Sequence, residues 1–243
     1  MKAIARWIAL VVLAFIALQL FFLGRIATMA VLDPQSTTFQ RSEAWRIAVE
    51  RDKLRWRQEW LPYDQISDHL KRAVIASEDG SFVNHDGVDW DALEKAWERN
   101  AKAEELAARR AQLAPSRAKP PKIVGGSTIT QQLAKNLLLS GERTMLRKAQ
   151  EIVLTFALEQ VLTKQRILEI YLNNVEWGEG VFGAEAAARH YFRKGAGKLG
   201  AYEAARLAVM LPQPKRFEKN SGSGYLASRA STIVARMRDA ELP

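Results

Sequence analysis

Gly125-Gly126-Ser127-Thr128-Ile129-Thr130-Gln131-Gln132-Leu133-Ala134-Lys135-Asn136 is the stretch on which the reading of this chain turns. Two glycines let the backbone pass close to a neighbour. The hydroxyls after them suit a helix cap, with Thr128 and Gln131 at capping-box spacing. In the helix that follows, Leu133 and Leu137 face inward. Gln131 with Lys135, and Gln132 with Asn136, stand four apart, the spacing at which side chains pair along a helix. A helix N-terminus carrying hydroxyls, amides and an ammonium suits an anionic, hydroxyl-rich ligand. A well-capped surface helix fits this stretch alone equally well.

Upstream, Ile66, Leu70, Val74 and Ile75 recur at helical spacing and predict a helix over residues 65–77. It leads into Glu78-Asp79-Gly80-Ser81-Phe82-Val83-Asn84-His85-Asp86-Gly87. Adjacent carboxylates after an apolar helix are costly unless used or paired. Partial burial should raise the Glu78 pKa toward that of a general base, while any nearby cation would lower it. His85 alone reads most simply as a structural histidine bonding a loop backbone. With three histidines and no metal-ligand spacing, neither a zinc site nor a histidine-based nucleophile system is indicated. Asp89 suits a helix cap ahead of an apolar stripe of Trp90, Leu93 and Trp97. Residues 98–122 then turn to alanine with mixed charge and end in a basic, proline-rich loop.

Downstream, Arg147, Lys148 and Glu151 share a helix face. Ile152, Val153, Leu154, Phe156, Leu158, Val161 and Leu162 follow, so this helix is expected to be buried, with its polar start facing a cleft. Thr163 suits the cap of a helix with Ile167, Ile170 and Tyr171 in a core stripe. A glycine-rich turn over 177–183 and helices over 184–191, 202–211 and 226–237 complete the chain. Strand alternation is scarce, so the fold reads as mostly α.

At 243 residues the chain has room for one sizeable domain and an appendage. Between Trp7 and Leu23 the one polar residue is Gln19, and apolar character returns after Arg25 as far as Leu32. That length spans a bilayer core of about 30 Å. A cleavable signal needs roughly 7–15 apolar residues, which favours a retained anchor. Lys2 and Arg6 precede the span without an acidic neighbour, placing the N-terminus in the cytoplasm and the domain outside. The net charge of +9 leaves a surplus on the outer part that suits an anionic membrane face or ligand. Nucleic acid is a poor candidate for a domain outside the cytoplasm. No cysteine ties the chain to a redox compartment. The expected division is a cytoplasmic stub and anchor over 1–32, a membrane-proximal linker over 33–60 and a domain over 61–243. Within 33–60, Trp45, Trp56 and several arginines suit either a headgroup-level segment or a short helix packed on the domain.

The segments 78–87, 126–136 and 147–151, with 164–173 and 185–192, resemble the ordered motifs of the peptidoglycan glycosyltransferase family, over roughly residues 61–237. The single anchor without a second catalytic domain resembles its monofunctional members. The resemblance implies a lysozyme-like helical fold with a large lobe, a small jaw lobe and a groove between them. It implies lipid II and the growing glycan strand as substrates, at the membrane, with wall-synthesis or division proteins as conceivable partners. Glu78 is implied as the base acting on the acceptor hydroxyl, and Glu151 as a second carboxylate that positions or stabilises the donor. Asp79, Phe82, His85, Ser127, Thr128, Gln131, Gln132, Lys135, Asn136, Arg143, Arg147 and Lys148 are implied as substrate-binding. Cleaving a glycosyl-diphosphate calls for fixed cations of this kind. No cofactor is required and no metal ligand set is seen; a divalent cation on the lipid diphosphate is compatible with the sequence. The 98–122 segment is longer than the family connection. A lytic enzyme and a non-catalytic membrane scaffold are the competing readings.

Overall fold

A computed structural model describes residues 2–51, 55–113, 120, 121, 123, 125–142 and 144–243. The apolar N-terminal run forms helix α1 (Lys2–Thr28), long and apolar enough to cross a membrane. Residues 2–18 are exposed, but Phe22, Ile26 and Met29 are buried against the domain. Helix α2 (Thr38–Arg51) follows, then strand β1 (Arg57–Gln58). Thr37, Gln40 and Ile47 are fully buried, and the Trp56 ring lies 4.5 Å from that of Phe182. The packed-helix reading of 33–60 therefore describes this segment, although Trp45 stays exposed.

Ser67 caps helix α3 (Asp68–Glu78) by accepting from the His69 N–H. Asp89 accepts from the Ala92 N–H at 2.7 Å at the start of α4 (Trp90–Leu113). Helices α5 (Ile129–Leu138), α6 (Met145–Val161) and α7 (Lys164–Asn174) each open on a threonine cap. Strands β2 (Glu176–Gly178) and β3 (Val181–Phe182) form a hairpin, with β1 parallel to β3 in the order β1-β3-β2. Only glycine fits at Gly180, where φ is +73° and a Cβ would meet the Arg55 carbonyl oxygen. Helices α8 (Ala184–Phe192), α9 (Ala201–Met210), α10 (Pro214–Glu218) and α11 (Gly224–Arg236) complete the order.

One core joins two groups of helices: α3, α9 and α11 pack together, as do α5, α6 and α7, while α1 lies along α6 and α2 along α5. Small residues make the first packing close: Ala73, Ala204, Ala205, Ala208 and Ala230 are buried where these helices meet. Among the described residues the apolar stripe of Trp90, Leu93 and Trp97 stays exposed, at 61, 41 and 76%. The expected burial of α6 needs correction: of the apolar run only Leu154 and Leu158, with Leu162 just beyond, are buried, whereas Val153, Phe156 and Val161 are exposed.

Candidate active site

Glu78 is the last residue of α3, so the run of Leu70, Val74 and Ile75 that anchors the helix in the core also fixes its carboxylate at the mouth of a cleft. The cleft encloses about 510 Å³ between the α3 end, the first turns of α4, residues 125–128 and the end of α11. Glu78 Oε2 accepts from Gln132 Nε2 at 3.1 Å and Oε1 from Ser77 Oγ at 3.2 Å. Burial pushes the Glu78 carboxyl above its ordinary value; the Gln132 and Ser77 hydrogen bonds pull it back, and the Asp79 charge adds to the rise. The contest between burial and cations is thus decided for burial.

Gln132 is held in turn by the Tyr171 hydroxyl, which donates to its Oε1 at 2.9 Å. Tyr171 is fully buried, and burial next to the Glu78 and Asp79 charges holds its proton on tightly. The expected Gln132–Asn136 pairing gives way to these partners. Gln131 completes the capping box with Thr128, both buried, so it does not reach toward Lys135 either.

Asp79 is turned inward. Its Oδ2 accepts from the Ile129 N–H at 2.9 Å and its Oδ1 lies 2.8 Å from His85 Nε2. Since His85 Nδ1 accepts from the Gly87 N–H at 3.1 Å, the ring proton is on Nε2. The Thr128 hydroxyl donates to the Gly87 carbonyl, and Lys164 Nζ donates to the His85 carbonyl at 2.6 Å and to Glu159 Oε1 at 2.8 Å. Thr130 adds a hydrogen bond to the same Glu159 oxygen. These bonds bind loop 79–87 to the start of α5, holding the side chains of Asp79, His85 and Gln131 in internal hydrogen bonds while Asp79 also borders the cleft. Phe82 is fully buried, with Lys164 Nζ 4.6 Å from its ring centroid. Thr128 is buried yet borders the cleft, and Ser127 lines it openly. Gly126 is needed for clearance, since a Cβ there would stand 3.3 Å from the Leu93 Cα; Gly125 has open space.

The second carboxylate forms its own cluster on α6. Glu151 is buried, paired with Arg147 Nη1 at 2.8 Å and with Lys148 Nζ. Arg147 Nε is buried without a hydrogen-bond partner. These three residues are not among those lining the Glu78 cleft; α5 is bonded to Glu78 through Gln132 and packs on α6. On α5, Lys135 is exposed and Asn136 half-buried. Arg143 lies outside the described residues. Sequence reasoning missed the other cleft walls, Lys95, Arg99, Arg236 and Asp239. The i, i+4 spacing of Lys95 and Arg99 was the available signal. It also missed Glu159, whose carboxylate is held by Lys164 and Thr130.

A half-buried, raised-pKa carboxylate in an open cleft, with a buried carboxylate-and-cation cluster on α6, fits a helical carbohydrate-active enzyme site of the base-and-cation kind. The transglycosylase family model matches residues 46–238, and the chain belongs to that family, with its lysozyme-like helical domain. The chain is 51% identical over 242 residues to a biosynthetic peptidoglycan transglycosylase of Paraburkholderia phytofirmans, covering 98% of this chain and 94% of the relative. It is 50% identical to one of Paraburkholderia xenovorans with the same coverage. Against that of Burkholderia thailandensis it is 49% identical over 246 residues, covering 100% of this chain and 90% of the relative.

Proposed function

We propose that this chain polymerises the glycan strands of the bacterial cell wall, transferring the growing strand from its undecaprenyl diphosphate carrier to the 4-hydroxyl of lipid II. The observation that carries the reading is Glu78: one carboxylate at a cleft mouth, oriented by Gln132 and kept basic by burial. As the acceptor oxygen bonds to the donor anomeric carbon, its proton passes to Glu78. The bond from that carbon to the carrier breaks, and the electron pair leaves on the diphosphate. An α-linked donor giving a β-linked product requires a single inverting displacement. The departing charge is assigned to Arg147 and Lys148, held by Glu151. The unpartnered Arg147 Nε supports this assignment, because a buried donor without an acceptor suits a ligand oxygen.

Helix α1 anchors the enzyme in the cytoplasmic membrane with Lys2 and Arg6 inside and the domain on the outer face. The described residues offer no group of three or more His, Asp or Glu side chains for a metal, so a divalent cation would be carried by the diphosphate itself. Labelled lipid II incubated with the purified protein should yield polymer on size separation, and Glu78→Gln should yield none. Release of muropeptides from sacculi without lipid II use would overturn the reading in favour of a lytic enzyme. Full complementation by the Glu78→Gln/Glu151→Gln double variant would overturn it in favour of a scaffold.

A further inference from the structure

The polar residue inside the anchor has a partner. Gln19 Nε2 donates to Gln150 Oε1 at 3.3 Å, and Gln150 Nε2 donates back to Gln19 Oε1 at 2.9 Å. Gln150 immediately precedes Glu151 and stands three residues after Arg147 and two after Lys148. Counting from residue 2, Gln19 is the first anchor residue that the rest of the protein covers. It opens a stripe, Gln19, Phe22, Ile26 and Met29, spaced three, four and three apart, whose last three members are buried. The far end of the stripe is pinned by Arg166, which donates to the Met29 carbonyl at 2.8 Å and the Leu32 carbonyl at 3.0 Å and pairs with Asp33 at 2.8 Å. The anchor is therefore built into the domain at two points about 14 Å or more apart along its axis, and is not a loose tether.

An apolar residue at position 19 would pack against α6 with little preference for one rotation. An amide in hydrocarbon pairs or pays for its isolation, so rotations or slips of α1 that part the two glutamines are disfavoured. We propose that Gln19 is a positioning residue for glycosyl transfer: through Gln150 it fixes the height and rotation of the Glu151 helix relative to the bilayer, so that Arg147 and Lys148 meet the diphosphate of a lipid-linked donor at the membrane surface. This rests on the function proposed above. The long lipid holds the donor diphosphate at the headgroup level, so a cation site displaced along the membrane normal meets less substrate while its own chemistry is intact.

The test uses the full chain in liposomes containing lipid II, and in detergent with a short-chain, water-soluble lipid II analogue. Gln19→Leu, Gln150→Leu and the double variant are compared with the parent. In liposomes each is expected to raise KM for lipid II by about three- to thirtyfold, the range set by an interhelical amide pair. The kcat should change little, the double variant should be no worse than the singles, and all should match the parent on the soluble analogue. A Gln19→Leu variant within twofold of the parent in liposomes, or equally impaired on both substrates, would overturn the proposal. Because the chain has no cysteine, Gln19→Cys/Gln150→Cys offers a second measurement. A short bifunctional thiol reagent should join this pair without loss of activity and should not join Leu20→Cys/Gln150→Cys, since Leu20 points outward at 62% exposure. Failure to join the first pair, or inactivation on joining it, also overturns the proposal. Glu78→Gln is run in parallel. If it still polymerises, the base assignment fails; if it is inactive while Gln19→Leu behaves as the parent, only the positioning role fails.

Discussion

Gln132 donates from its side-chain amide to Glu78, and Tyr171 fixes which way that amide points by donating to its other end. The base is thereby oriented by a residue that has no surface role of its own. Gln132→Leu is expected to lower turnover roughly ten- to a hundredfold, the worth of a hydrogen bond to a charged group. Because that bond pulls the Glu78 pKa down, its loss should also move the acid limb of the pH–rate profile to higher pH. Tyr171→Phe should give a smaller shift of the same sign. A profile unmoved in both variants would sever the link.

Glu78 itself trades stability for reactivity. Its folded pKa is raised, so the folded state binds its proton more tightly than the unfolded chain does, and stability falls as pH rises from the ordinary carboxyl value through the folded one. Glu78→Gln removes that cost at neutral pH. The variant should lose polymerisation by about 10²–10⁴-fold or more and yet melt at a higher temperature than the parent, as followed by circular dichroism at pH about 7.5. A lower melting temperature would mean that Glu78 is structurally required, not strained.

The features legible in the sequence are the local ones. The Thr128–Gln131 capping box joins residues three apart and forms as its spacing indicates. Gln132 misled because its neighbour at Asn136 competes with Glu78 and Tyr171, 54 and 39 residues away, which no helical spacing can reveal. The periodicity of Trp90, Leu93 and Trp97 shows that one face of α4 is apolar, but not whether anything covers it. Strands of two or three residues are too short to alternate, so β1, β2 and β3 leave no periodic trace. Adjacency in the chain says nothing of partners: Asp79 borders the cleft beside Glu78, yet its carboxylate is bonded to the Ile129 amide and His85, 50 and 6 residues away.

Arg147 and Lys148 share one buried carboxylate, so the cluster is vulnerable from either side. Arg147→Ala leaves Glu151 with one partner and should cost about 3–5 kcal/mol of folding stability in addition to weakening donor binding. Arg147→Lys keeps the charge but shortens the reach to Glu151, and should fold better than it works. Denaturant melts and KM for lipid II, measured on both variants, separate the two effects. Equal stability of Arg147→Ala and the parent would show that the ion pair is not consequential for folding.

The bracket around loop 79–87 makes a prediction about local order. Asp79→Asn keeps one acceptor for the Ile129 N–H but offers no carboxylate to His85, while Lys164→Met removes the ammonium that holds the His85 carbonyl and Glu159. Each should cost roughly 1–3 kcal/mol and speed amide exchange in residues 80–87, with slower turnover because the base stands at the loop's root. Unchanged exchange in both variants would remove this bracket from the account.

Glu176 provides a test far from the cleft. It is buried on β2, with Lys215 Nζ 3.5 Å from its Oε1, too far for a good hydrogen bond, while Lys215 bonds Glu43 instead. Burial pushes its pKa up to about 7, partly offset by Lys215. The folded state therefore holds a proton here that the unfolded chain gives up at a lower pH, and stability should decline as pH rises from about 4.5 to about 7 and level off above. Glu176→Gln keeps the shape without the charge, and should flatten the dependence of melting temperature on pH across that window while raising it at neutral pH. A variant whose melting temperature falls in parallel with the parent's over the same window would show that another group titrates there.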